Sequence, residues 1–491
     1  MAHPLKKLLP VRLPLLLKFF LVGLLVPALF APNFLLTVFA LAVFLVIVNL
    51  HWRPKEPPYL FFALLMDWLQ ASIQIFNANF YGRSLASINQ YRELNVTASW
   101  LSLIAVLVLA VGIYVYKRRT EIYFERSMGN LDQAYAPRQV FKIYVAITLV
   151  LLFGGNLAWA FPRISQIIIM LMKLKWGFLV AAVVLTEHHP ALRRRLWLFV
   201  IFEMVMGFTS FFSNFKEVLI FSFIGLLPAI PRMSLKRQIR LAALAVFILS
   251  LGVVWQGIKG PYREFLKQGK VTQTRQVSRK EALNKFTELA MNLNAAQLEL
   301  GFKTLVDRIG NTPYFAAALA YVPHFKPHQH GRLWGEAFDR LLRPRLFFPN
   351  KPAIADSKQL NEFTGLNVAG TEQATSISLS LVAGSYVDFG LVGMFVPIFL
   401  FGVLAGYLYY WIIRKSGNIF WAIVLGAPFF YLIPITEQNI ARNVTALFIY
   451  LVTALLFQKF LLKKIDPFLR RKVKVRLQNI QAATGKMTAK P

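Results

Sequence analysis

No cysteine occurs in the 491 residues, which excludes disulfides, thiolate metal sites and a cysteine nucleophile. Acidic residues are scarce, with 22 Asp and Glu against 55 Lys and Arg and a formal charge of +33. None of the aspartates forms a DxD pair, so the clustered carboxylates that usually hold a divalent ion on a diphosphate are missing. P-loop, GxSxG and HExxH patterns are absent too, as are internal repeats and low-complexity tracts. Hydrocarbon fills the chain instead. Hydrophobic residues make up 57%, Phe occurs 44 times, and the mean hydropathy is +0.52, outside the habits of soluble domains.

Apolar runs of about 17–25 residues match the thickness of a bilayer. Twelve predicted spans lie at 14–31, 33–50, 58–76, 98–116, 140–160, 164–185, 196–213, 217–231, 241–258, 386–413, 419–435 and 443–462. The first is read as a retained span because a second follows at once and no small-residue cleavage site is evident. Charge tests the count independently, since cytoplasmic loops carry the excess of Lys and Arg. With Lys6, Lys7 and Arg12 inside, alternate loops are basic: Arg53 and Lys55; Lys117, Arg118, Arg119, Arg126 and Arg138; Arg193, Arg194 and Arg195; Arg232, Lys236, Arg237 and Arg240; Arg414 and Lys415. A tail with nine cations from Lys463 onward completes the series. Both termini are therefore expected in the cytoplasm. The large positive charge is accounted for by topology, and nucleic acid is not an expected partner.

Four regions follow: a bundle of spans 1–9 (residues 1–258), a long outer loop (259–385), spans 10–12 (386–462) and a basic tail (463–491). The loop holds 17 Lys and Arg against 10 Asp and Glu, which favours an anionic partner. Ser278-Arg279-Lys280-Glu281 has capping-box spacing, and Leu283, Phe286, Leu289 and Leu293 follow at helical intervals. That predicts an amphipathic helix over 278–300, ended by Gly301. Pro313–Tyr321 and Arg332–Leu342 read as two more, and all three are expected to lie on the outer leaflet as a cap.

Polar residues mark the candidate chemistry. Arg340, Arg343, Arg345 and Lys351 surround an apolar, proline-stiffened knot, which suits either phosphate recognition by guanidinium forks or a grip on lipid headgroups. Lys216 precedes the eighth span and Arg442 the twelfth, on the same side as the loop. Within spans lie Asp67, Gln70 and Gln74 on one helical face, Lys173, Lys175 and Glu203, each needing a partner or a cavity. Candidate acid–base groups are His324, His328, His330, Asp356, Glu362, Glu372, Asp388 and Glu437. The three loop histidines have no carboxylate beside them, so a metal site is not expected.

A dozen spans with one large late outer loop resemble the Wzy-type O-antigen polymerases. So do the stretch from Thr375 through Gly384, Tyr386, Asp388 and Gly390 to Gly393, and the Ser-Asn-Phe-Lys216 step, where that family often has Arg. The resemblance implies an all-α, GT-C-like membrane glycosyltransferase in the bacterial inner membrane, needing no cofactor. It would join oligosaccharide repeat units carried on undecaprenyl diphosphate, with donor, acceptor and membrane lipids as partners and a chain-length regulator as a further one. For such a reaction Arg345, Lys351, Arg442 and Lys216, supported by Arg343 and Arg263, form the expected diphosphate clamp. Tyr386, Asp388 and Arg340 are the expected substrate contacts, and Glu437 or one of His324, His328 and His330 the base. An O-antigen ligase, which differs in acceptor, fits the same residues. A transporter fits less well, because the loop after the ninth span breaks the expected symmetry of two halves.

Overall fold

The computed structural model describes residues 13–52, 58–117, 131–153, 161–211, 215–227, 234–270, 275–345, 347–348, 350–351, 354, 356–368 and 377–471. Every element among them is helical apart from one isolated bridge between Tyr135 and Arg470. Before the loop region, the described helices of twelve or more residues are α1 (Leu15–Ala28), α2 (Phe34–His51), α3 (Tyr59–Phe80), α4 (Glu93–Tyr114), α5 (Pro137–Phe153), α6 (Ser165–Thr186), α7 (Pro190–Phe208), α8 (Phe215–Leu226) and α9 (Leu235–Lys267). The loop region folds into α10 (Arg279–Met291), α11 (Ala295–Ile309), α12 (Thr312–Tyr321), α13 (Arg332–Leu342) and α14 (Asp356–Thr364). After it come α15 (Leu381–Gly393), α16 (Phe395–Lys415), α17 (Ile419–Gly426) and α18 (Ile440–Leu456), the last continuing as helix to Leu469.

Seven helices among the described residues are long and apolar enough to cross a membrane: α2, α3, α4, α6, α9, α16 and α18 with its continuation. Three shorter apolar segments, Leu15–Ala28, Leu381–Gly393 and Ile419–Leu432, add to them. The other predicted spans, near α5, α7 and α8, form helices of 17, 19 and 12 residues, and α7 opens on three arginines. The basic tail beyond Arg471 and Glu372 lie outside the described residues.

Two predicted spans are broken. The segment at 386–413 divides at Gly390, whose φ of 72° and ψ of −170° no helix contains. The one at 419–435 stops at Gly426, resumes for a single turn after Pro428, and gives way to the largely buried, non-helical segment Pro434–Asn439. Proline removes a helix donor and glycine relaxes φ, so both breaks fall at the residue types that permit them.

The predicted helix over 278–300 is also two helices. Ser278 caps the first in the expected box with Glu281, but Asn294 opens a second box with Gln297. Gly301 ends neither. It lies inside α11, where an added Cβ would sit 2.6 Å from the Val253 carbonyl oxygen of α9. Hydrogen in place of a side chain lets α11 run along α9 beside residues 252–257, within the predicted ninth span. Further along, Gly310 touches Gln74 of α3, and α12 packs on α4. The loop region is thus wedged against the flanks of the bundle as well as spread over its end. A similar close seam joins α4 to α16, where Gly112, Gly402 and Gly406 each face backbone of the other helix.

Candidate functional site

The largely buried segment Pro434–Asn439 is held from four directions, by three side chains and one backbone group. Asp67 of α3, fully buried, accepts hydrogen bonds from Ile435 N (2.9 Å), Thr436 N (3.0 Å) and the Thr436 hydroxyl (2.6 Å). Asn443 donates to the Pro434 carbonyl (2.7 Å), and Asn311 donates to the Thr436 carbonyl. The first turn of α15 adds Leu381 N to the Gln438 carbonyl (2.7 Å). Backbone groups that leave helical pairing inside a protein must find such partners. Asp67 therefore supplies the interhelical glue that one of its two sequence readings required, and the loop it fixes presents Glu437 at the surface.

Beside this loop lies a concentration of positive charge that the sequence disclosed only in part. Lys259 and Arg263 share a face of α9 one turn apart, Arg308 occupies the last turn of α11, and Lys216 stands at the start of α8. Arg308, Arg263 and Lys216 act electrostatically on Lys259, and Arg308 acts on Arg263. The Arg263 guanidinium stacks on Phe211, 4.7 Å from its ring centroid, and its Nε is buried without a hydrogen-bond partner. Among the described residues, none of these four cations forms an ion pair with a carboxylate. Like charges so placed repel by kilocalories when partly desolvated, and an anion bound among them removes that cost.

One wall of the basin joins it to the pinned loop. Glu217, next to Lys216, has Lys173, Lys175 and Lys216 as its charged neighbours and lies beside Tyr431. Lys173 sits over the Tyr431 ring at 4.4 Å, and Gln438 donates to the Tyr431 carbonyl (3.3 Å). At the other wall Asp307, adjacent to Arg308, accepts from Gln74 (3.2 Å). Glu217 is thus the carboxylate next to these cations, and Glu437 stands on the pinned loop near Asp67.

The six cations expected to form one clamp occupy three places. Lys216 and Arg263 meet in the basin, joined by Lys259 and Arg308. Arg442 forms an ion pair with the buried carboxylate of Asp356, which also accepts from Asn439 (2.7 Å). Arg343, Arg345 and Lys351 stay together with Arg340 after α13. There the Lys351 ammonium donates to the Arg340 carbonyl and to that of Arg343 (2.7 Å), closing the C-terminal end of the helix, while Arg343 pairs with Asp339. Burial, then the neighbouring charges of Arg340, Arg343 and Arg345, pull the Lys351 ammonium below the ordinary lysine value.

Several other candidates hold neighbouring parts of the chain. The Asp388 carboxylate accepts from Leu333 N (3.1 Å) and Trp334 N (3.0 Å), so it caps α13 from a distant part of the chain. Tyr386 donates to the Val322 carbonyl (2.7 Å) and is buried. His328 lies edge-on to Tyr386, while His324 and His330 are exposed. Glu362 pairs with Lys326 (2.5 Å) and Arg332 (3.1 Å). Among the described residues no three His, Asp or Glu are grouped to hold a metal. Deep between α5, α6 and α7, Lys175 pairs with Glu203 (2.5 Å), whose other oxygen accepts from Tyr144. Each intramembrane charge in that group has its partner.

Lys259, Arg308 and Glu217 are the residues the sequence reading passed over. Lys259 and Arg263 at i and i+4 just past a span were a legible signal. Arg308 gave none, because its place depends on α11 doubling back along α9.

Among the described residues these features define an all-helical protein with seven helices able to cross a bilayer and a cluster of cations between helices and loop. The chain belongs to the family described as a domain of unknown function, DUF8712, whose model matches residues 126–473 and so includes the basin, the pinned loop and everything between. No curated protein and no solved structure matches the chain.

Proposed function

We propose that the protein is a twelve-span, GT-C-like glycosyltransferase of the bacterial inner membrane that polymerises undecaprenyl-diphosphate-linked oligosaccharide repeat units at the outer face. The observation that carries this reading is the gathering of Lys216, Lys259, Arg263 and Arg308, none of them ion-paired to a carboxylate among the described residues, with Glu217 next to Lys216 and Glu437 on the pinned loop. By the positive-inside pattern all six lie on the outer side, with both termini in the cytoplasm. In the reaction an acceptor hydroxyl oxygen forms a bond to the anomeric carbon of the donor sugar as the bond from that carbon to the diphosphate oxygen breaks. Its electron pair leaves with the diphosphate, and the cations stabilise the charge that gathers there. Glu217 or Glu437 takes the hydroxyl proton. Apolar helices around the basin give the polyprenyl tail a place to lie.

The test supplies a lipid-linked repeat unit to purified protein in nanodiscs, with no nucleotide sugar added. A ladder of products is expected, and Lys259→Ala and Arg263→Ala should abolish it while the protein still elutes as a folded species. Transfer to a different acceptor without a ladder would select the ligase-like reaction. Movement of intact donor across a sealed bilayer, with no new bond, would replace catalysis by transport.

A further inference from the structure

The knot after α13 departs from the phosphate clamp expected of it, and its surface shows another use. Phe338 and Leu342, one turn apart on α13, and Phe347 and Phe348 just beyond it are exposed, Leu342 at 78% and Phe347 at 72%. Arg340, Arg343, Arg345 and Lys351 are interleaved with these four apolar side chains, and Asp339 is the single carboxylate among them. The adjoining face of the helix, Leu333, Trp334 and Ala337, is buried, with Trp334 beside the Phe338 ring. It packs along α18, one of the helices long and apolar enough to cross a membrane. Leu333 of α13 and Ile440 of the first turn of α18 both reach Gly384, which sets α13 at the level where that span begins. A helix docked on the flank of a span at its end faces lipid on its free side, at headgroup depth.

We propose that the C-terminal half of α13 and the turn through Lys351 form an interfacial anchor. Phe338, Leu342, Phe347 and Phe348 enter the acyl boundary, and Arg343 and Arg345 hold anionic lipid headgroups. Two side-chain arrangements support this division of labour. Lys351 locks the backbone of the turn by donating to the Arg340 and Arg343 carbonyls, so the apolar tip keeps its shape. Arg345 makes no ion pair among the described residues, and Arg343 is shared with the half-exposed Asp339. Apolar burial and attraction to anionic lipid are the two terms that bind an amphipathic helix to an interface. The proposal is independent of the chemistry assigned to the basin.

A native chain without cysteine makes the test direct. A nitroxide is attached at Phe347→Cys, with Val246→Cys on the exposed face of α9 as the lipid reference and Lys270→Cys beyond the end of α9 as the aqueous one. Collision with oxygen and with a nickel chelate is measured in nanodiscs of phosphatidylcholine alone and with phosphatidylglycerol. The label at 347 is expected to resemble position 246 when phosphatidylglycerol is present. Arg343→Gln with Arg345→Gln should shift it toward the aqueous reference there, by about fivefold in partition per charge removed, since each basic residue at such a surface contributes ~1 kcal/mol. A label as open to the nickel chelate as position 270 in both lipids would overturn the anchor. A label buried equally in both lipids and in the double variant would overturn the role of the cations.

Discussion

Asp67→Ala is expected to destabilise the whole protein and to disable the proposed site together. The carboxylate is fully buried and accepts from two backbone N–H groups and one hydroxyl of a segment that has no helical pairing of its own. Removing it strands the Ile435 and Thr436 amides, each at ~1–3 kcal/mol for a buried unsatisfied donor. Loss of a desolvated carboxylate returns part of that, which leaves a net cost of about 2–4 kcal/mol. At ~2 °C per kcal/mol for a large domain, the melting temperature in detergent should fall by roughly 4–8 °C. Asp67→Asn keeps one acceptor but turns an amide donor toward the Ile435 N–H, so it should fall between wild type and Ala. Glu437→Gln is the control on the same loop: an exposed side chain, whose neutralisation should leave the melting temperature alone while lowering polymerisation. Fluorescence-detected unfolding of the three variants reads the effect. An Asp67→Ala protein that melts with wild type would refute the account of Pro434–Asn439 as a segment pinned by Asp67.

Two further outcomes follow from other ionic groups. Lys175→Met alone, or Glu203→Leu alone, leaves the other charge buried without its partner and should cost about 3–5 kcal/mol, whereas the double substitution should recover most of the loss; equal melting of the single and double variants would show that the pair is not coupled. At Glu362, partial burial raises the carboxyl pKa, but hydrogen bonds and charge from Lys326 and Arg332 outweigh it and hold the group below the usual glutamate value. A depressed value means that its stabilisation is complete above the unfolded-state pKa and is lost as pH falls through the folded one. Wild type and Glu362→Gln should therefore differ most near neutrality and converge in acid, by a modest amount because the pair is partly solvated. A gap that widens on acidification would contradict the assignment.

Several features were legible in the chain as written. Apolar runs of bilayer length announced most of the long helices, because a span must satisfy its backbone internally and expose hydrocarbon outward. Capping spacing announced Ser278, and turn residues bounded α12 and α13 nearly to the residue. The polar face of α3 announced a partner without naming it. Asn294 was the unread signal, since its capping box with Gln297 shows that one predicted helix is two.

Local sequence and hydropathy determined where most helices lie and that several are oily enough to meet lipid, since those properties need only neighbours a few residues away. Tertiary structure alone decided that Asp67 closes on Ile435 and Thr436, 368 and 369 residues along the chain. It also turned Asp388 into a helix cap, and it divided the expected clamp so that Lys216 and Arg263 met Lys259 and Arg308 while Arg345 and Lys351 went elsewhere. The physical reason is that charge and hydrogen bonding act across space between side chains whose separation in sequence carries no period. Where α11 lies against α9, Gly301 and the facing Gly257 allowed the approach that placed Arg308, and no pattern in the residues around Arg308 records it.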